Sequence, residues 1–512
     1  MNFKTHLIAG ACLAACSASS FAATVAKASC PAAAPTTSAA AVAYVNNCKP
    51  AYTVFVGGAS TQSGNFATIV KSTGLLDTTK MTPIVINDKG SVSGLAGNVK
   101  ALLGQTSAGQ IALFVFNYNN GSAAGVSQLL GAPTKPSVAV SAGGIPESDV
   151  VFVGPIKDSV TPGTATGLPN TCVASATSTD AAPAVDCTTH TPQQADLAVS
   201  DVAPAELYAL YSGAKNKLST LTNTPLFLQS FGVVVSPALY TALQTKNLSE
   251  GTIPSTCSAG DFTTAACQPT IRREEYASLV ATGGKIKSLA ALTGDASLSS
   301  QLTLARRDNL SGTQAVSNMF FVNGQCGGNG KAGVAKSVDA LVKAAGGLLG
   351  GLAIDDISNT TSSLNILAAS VSGDVKNAVA NTGYAIGVLN VGGGGVVSNS
   401  DASVTSKGRF IRIDGLSPNY NAAGATGSAV TRAQIANGIY PFAFTAYGSY
   451  VTATYTKFDA TKKTLVDNTL AGFKSSSLSD LAGIAYLDGA VTAKQSLVNR
   501  TNGNNCSPIT KL

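Results

Sequence analysis

Three times along this 512-residue chain a β-rich run ends in small residues and hydroxyls and then gives way to a helix-like run. Tyr52–Val56 leads into Gly57, Gly58, Ala59, Ser60 and Thr61. Ile111–Phe116 leads into Gly121, Ser122, Ala123, Ala124, Gly125 and Val126, then Ser127–Leu130. Leu302–Ala305 leads into Arg306, Arg307, Asp308, Asn309, Leu310, Ser311, Gly312 and Thr313, then the helix-like Gln314–Phe321. Strands separated by helices cannot pair through a tight hairpin, so the alternation predicts an α/β fold with a largely parallel sheet.

The same junctions predict chemistry. Glycine lets an anion reach the backbone, and Ser or Thr at a helix start caps it. The unpaired N–H groups and partial positive charge of a helix N-terminus favour a bound anion. Ligands of such sheets sit beyond the carboxyl ends of the strands, where all three junctions fall. Arg307 adds a planar guanidinium suited to an oxyanion. Taken alone, Arg306–Thr313 reads equally as a surface cap with a solvated arginine pair; the recurrence of the pattern favours the anion site.

The chain resembles the phosphate-binding periplasmic receptors of ABC transporters, which have the type 2 substrate-binding fold. Arg307-Asp308-Asn309-Leu310-Ser311-Gly312-Thr313 is similar to the family's Arg-x-Asp-x-Ser-Gly-Thr segment. Gly57 to Thr61 and Gly121 to Val126 are similar to its first two glycine loops, and Asp196-Leu197-Ala198-Val199-Ser200-Asp201 to its Asp-Phe-Gly-Ala-Ser-Asp. Phe231–Val235, Ala385–Val388, Ile413–Pro418 and Asn437–Pro441 follow in the family's order, so the resemblance spans residues 50 to 455 with insertions. Asn309 replaces the family's usual aspartate beside the arginine, and Thr61 its usual aromatic.

The resemblance implies a two-lobed α/β fold, with a hinge of two crossover segments and long insertions. It implies an exported solute-binding protein that holds an inorganic oxyanion, phosphate being favoured, between the lobes, and it implies no enzymatic activity, no cofactor and no metal. Ser60, Thr61, Ser122, Ser311, Gly312 and Thr313 would donate hydrogen bonds, with Asn309 beside them. Arg307 would supply charge, and Asp201 would test the ligand's protonation state. An ABC transporter permease is the implied partner. The competing reading is a secreted or surface structural protein that keeps the fold without tight binding.

The implied segments are a leader at 1–22, a tether at 23–50 and a first lobe at 51–234 interrupted by an insertion at 131–195. A second lobe at 235–387 and a return to the first at 388–512, with a C-terminal extension, complete the chain. The crossovers are expected at Phe231–Ser236 and Tyr384–Val391, and a helix at Pro204–Tyr211. The leader carries Lys4, an apolar run from Leu7 and small residues up to Ala22. Leu13-Ala14-Ala15-Cys16 also resembles a lipobox, in which case Cys16 would carry lipid and hold the chain to a membrane. Both routes lead to the periplasm or the cell surface.

Charged residues make up 12% of the chain, about half the usual share, and the net charge of +7 has no dense Lys/Arg block. Nucleic acid is therefore excluded as a partner. Beyond the leader, Cys30, Cys48, Cys172, Cys187, Cys257, Cys267, Cys326 and Cys506 form an even set that suits an oxidising compartment. Three pairs are near in sequence (30 with 48, 172 with 187, 257 with 267), which leaves Cys326 and Cys506 for each other. No Cys-x-x-Cys spacing occurs and His190 is the only histidine after the leader, so neither a zinc site nor a Ser-His nucleophile is expected. Gly327–Lys331 lacks the hydroxyl of a nucleotide loop, Ala332 standing in its place.

Overall fold

The computed structural model describes residues 25–26, 28–72, 74–89, 99–118, 121–131, 151–153, 159–160, 172–187, 190–192, 194–207, 212–281, 285–307, 310–323, 351–352, 364–369, 372–392, 407–475, 483–487, 496, 498–500, 505–506 and 509–511. The leader with Cys16, Cys326, Asn309 and the glycine-rich 327–331 lie outside them.

The chain folds as an α/β protein around a mixed sheet that has 15 strands among the described residues. Helix α1 (Ser38–Asn47) comes first, then β1 (Tyr52–Gly58), α2 (Ser63–Ser72), β2 (Ile84–Asp88), β3 (Val99–Gln105), β4 (Ile111–Asn117) and α3 (Gly121–Leu129). There follow β5 (Cys172–Ala174), β6 (Ala184–Cys187), β7 (Leu197–Ser200), β8 (Leu221–Val235), β9 (Leu302–Arg307), α4 (Gly312–Val322), β10 (Leu364–Ala369), α5 (Ser372–Asn381), β11 (Tyr384–Asn390), β12 (Ala443–Val451), α6 (Ala460–Lys474) and β13 (Ile484–Tyr486). Across the sheet the order is β5-β6-β2-β3-β4-β1-β7-β12-β8-β11-β9-β10, ending on Gly351–Leu352.

Strand β8 joins the two halves of this sheet. Leu221–Ser230 pairs with β12, and Phe231–Val235 pairs with β11. The crossover expected at Phe231–Ser236 is thus the end of a 15-residue strand. Pro225 lacks a ladder donor, and the register shifts between it and Phe227, as a proline inside a strand requires. On the return, Arg409–Phe410 still pairs with Val234–Val235 before the chain reaches β12.

The sheet is parallel only in part, which corrects the expectation of a largely parallel one. β4-β1-β7 and β11-β9-β10 are parallel, while β2-β3-β4 is antiparallel. Between β3 and β4 the chain reverses in a tight turn closed by Thr106 N–H to the Gln110 carbonyl at 2.8 Å, with Gly109 at φ 83°. A hairpin dictates antiparallel pairing, and the parallel strands are those that need crossovers. Both parallel groups feed the candidate site. Strand β4 is buried at all seven positions, as a strand covered on both faces must be.

The stretch read as a tether packs as structure. Thr37 caps α1 by accepting from Ala40 N–H at 3.1 Å, and Ala41, Tyr44 and Val45 are buried. Alanine-rich composition reads as linker but also has the highest helix propensity, and the i, i+3, i+4 spacing makes one buried stripe. Helix α1 shares a core with β2 to β4 and with the β5–β6 hairpin, which comes from the expected insertion and pairs parallel with β2. Disulfides Cys30–Cys48 and Cys172–Cys187 staple this edge, and Cys257–Cys267 staples a loop of the other half. Cys506 is disulfide-bonded as well. The helix expected at Pro204–Tyr211 is a short 3-10 turn, Pro204–Glu206, within the described residues. Among the described residues no helix is long and apolar enough to cross a membrane.

Candidate functional site

Four strands release the chain toward one point. After β1 the 3-10 turn Ser60–Gln62 carries Ser60 and Thr61. After β4, α3 begins at Gly121 with Ser122 fully buried. Asp201 follows β7 directly, and Arg307 ends β9. Ser311 then caps α4 by accepting from Gln314 N–H at 3.3 Å.

Close approach of backbones explains the glycines. A Cβ on Gly125 would lie 2.5 Å from Gly58 Cα, so α3 can pack on the end of β1 only without one. A Cβ on Gly312 would stand 2.3 Å from Ser122 Oγ and 2.7 Å from Asp201 Oδ2. Gly312 thus permits the start of α4, in one half of the sheet, to meet α3 and Asp201 in the other. Ala123 N–H donates to the Leu310 carbonyl at 2.9 Å across the same contact.

Asp201 is the centre of the hydrogen bonding. Its side chain accepts from Thr61 Oγ1 at 2.5 Å and from Thr313 Oγ1 at 3.5 Å, and its backbone N–H donates to Ser122 Oγ at 3.1 Å. Burial pushes its pKa above the ordinary carboxylate value, while the Thr61 hydroxyl, the Arg307 charge and the Ser122 and Thr313 hydroxyls pull it back.

Arg307 is 2% exposed and Arg306 5%, so the solvated-pair reading of this stretch does not hold. Arg307 Nε donates to the Ala369 carbonyl at 3.3 Å and Nη1 to Ser372 Oγ at 2.9 Å. Ser60 Oγ lies 3.5 Å from the same Ser372 Oγ. Arg306 Nη1 turns back to the Arg307 carbonyl at 2.8 Å.

The structure therefore gathers Ser60, Thr61, Ser122, Asp201, Arg307, Gly312 and Thr313, with Ser311 holding the start of α4. Asn309 lies outside the described residues. Ser372 was missed by reading the sequence, although Ala369-Ser370-Val371-Ser372-Gly373 repeats the strand-end, hydroxyl and glycine pattern a fourth time. Gln62 was missed too: its Nε2 reaches Thr61 Oγ1 at 3.3 Å and Gln229 Oε1, on the shared strand β8, at 2.8 Å. The arrangement offers hydroxyls and one guanidinium beside a buried carboxyl, which suits a small oxyanion. Among the described residues no group of three or more His, Cys, Asp or Glu could hold a metal ion.

No protein-family model and no curated protein matches the chain. Solved structures similar to it include an ABC-type phosphate transport receptor from Vibrio cholerae, at 16% identity and TM-score 0.27, covering 55% of this chain and 75% of that one. PstS from Borrelia burgdorferi matches at 10% identity and TM-score 0.27, covering 82% and 97%. A possible phosphate binding protein from Planctomyces limnophilus matches at 12% identity and TM-score 0.26, covering 55% and 82%.

Proposed function

We propose that this chain is an exported solute-binding protein that holds one small inorganic oxyanion, phosphate by preference, where the two halves of the sheet meet. The observation that carries this reading is the convergence of three hydroxyl-bearing strand-to-helix junctions and the Arg307 guanidinium on buried Asp201. Ser60, Thr61, Ser122, Ser311, Gly312 and Thr313 donate hydroxyl and backbone hydrogen bonds; Arg307 supplies charge. An ionised Asp201 accepts a hydrogen bond only from a ligand that carries a proton, as monohydrogen phosphate does and sulfate does not. In this reading the protein is not an enzyme: it delivers cargo to an ABC transporter permease from the periplasm or the cell surface, with a lipid anchor if Cys16 is acylated.

A structural or interaction protein on the same fold is the second reading. One observation favours it: the Thr61 hydroxyl donates to the Asp201 carboxyl at 2.5 Å, so a group of the protein itself holds that carboxyl. Calorimetric titration of ligand-stripped protein with phosphate separates the two, together with mass spectrometry of the protein as purified. A saturable heat or a co-purified oxyanion supports binding. No heat and no thermal shift with phosphate, arsenate or sulfate leaves the second reading.

A further inference from the structure

Ser372 touches two members of the site from opposite directions. It is the first residue of α5 and is half-buried, while Arg307, which donates to its Oγ from Nη1 at 2.9 Å, is 2% exposed. Arg307 Nε donates to the Ala369 carbonyl at 3.3 Å, so two N–H groups of the guanidinium reach the last residue of β10 and the first of α5. On its other side Ser372 Oγ faces Ser60 Oγ at 3.5 Å, from a residue 312 positions away and in the other half of the sheet.

A hydroxyl has one proton to donate and two positions at which to accept. The guanidinium can only donate, so its contact with Ser372 occupies an acceptor position and leaves the serine proton for a different neighbour. At 3.5 Å, Ser60 Oγ is at the outer limit for an O–H···O bond, whose usual length is about 2.7 to 2.8 Å. An anionic oxygen on the Ser60 side of Arg307 is the stronger acceptor, and it would also face the first turn of α5.

We propose, resting on the oxyanion reading above, that Ser372 is a binding residue of this site: it holds the Arg307 fork by accepting from Nη1 and gives its own proton to the ligand oxygen nearest Ser60. Because Ser372 and Ser60 belong to different halves of the sheet, this bond forms only when the halves are together, and its loss shows mainly as faster ligand release.

The test uses the full chain as wild type, Ser372→Ala and Ser372→Thr, with inorganic phosphate as the probe and the Arg307 side-chain NMR signal of the ligand-free proteins as a second readout. Ser372→Ala is expected to bind phosphate about 10- to 100-fold more weakly, with Ser372→Thr recovering most of the loss. In the ligand-free proteins the Arg307 Nε–H signal should move in Ser372→Ala and stay in Ser372→Thr. Equal phosphate affinity of wild type and Ser372→Ala, or an unmoved Arg307 signal, overturns the proposal and leaves the oxyanion reading standing. A wild type without heat on phosphate addition is the separate failure of that reading and takes the binding role of Ser372 with it.

Discussion

Strand β7 has an aspartate at each end, Asp201 buried and Asp196 with its side chain 12% exposed, and the two are held in different ways. Asp196, before the strand, accepts from Lys462 Nζ at 2.7 Å and from Phe55 N–H at 2.8 Å. Asp201, after it, is surrounded by the hydroxyls of Thr61, Ser122 and Thr313, with Arg307 acting by its charge. Burial raises both carboxyls, and for both it outweighs the groups that oppose it. The difference lies in what can be exchanged. An ammonium on α6 seated on a carboxylate is a fixed joint between β7 and that helix, and removing one partner leaves a largely buried charge alone. Hydroxyls rotate, so in the proposed reading those around Asp201 can turn to a ligand whose own proton takes their place on the carboxyl. One end of the strand is held by an ion pair, and the other, in the proposed reading, by hydroxyls that a ligand can share.

The largest effect should come from the charge on the exchangeable side. Arg307→Ala is expected to weaken phosphate binding by about 3 to 5 kcal/mol, and Arg307→Lys to recover only part, since an ammonium cannot reproduce the planar fork. Calorimetry on both variants measures it; near-wild-type affinity in Arg307→Ala would remove Arg307 from the site. Lys462→Met attacks the other end. It should cost about 3 kcal/mol of folding stability in denaturant titration and leave phosphate affinity within about twofold, and a variant that keeps its stability but loses binding would dissolve the contrast between the two ends.

Asp201→Asn is subtler and sharpens the comparison through selectivity. The amide keeps an acceptor for Thr61 but also carries donors, so the preference for phosphate over sulfate should shrink by about tenfold or more. Competition of the two anions at neutral pH reads this directly, and equal affinities in the wild type would show that Asp201 does not discriminate.

The smallest effect is in the pH dependence of the ligand-free protein. Because burial raises Asp201, the folded state holds its proton more tightly than the unfolded chain, and stability falls as pH rises from the ordinary value of 3.8 through the raised one. Asp201→Asn lacks this loss, so its melting temperature should decline less over that rise than the wild type's. Asp196 is raised as well and remains in both proteins, so the difference between them isolates Asp201.

Local features were legible in the sequence because their causes lie within a few residues. Ser311 caps α4 three residues on, Gly121 opens α3, and β-rich runs at 52–56, 111–116 and 302–305 fall in strands. The near cysteines 30 with 48, 172 with 187 and 257 with 267 close short loops. The tertiary structure decided what lies between distant segments. Pairing of β9 with β10 sets Arg307 beside Ala369 and, past the strand end, Ser372; the association of the halves brings Ser60 to the same hydroxyl. Packing turned an alanine-rich arm into α1 and buried an arginine pair that reads as solvated. Propensity and capping act along the chain, whereas burial and the identity of a partner are set by strand register and by which faces meet, and neither is written in a local run of residues.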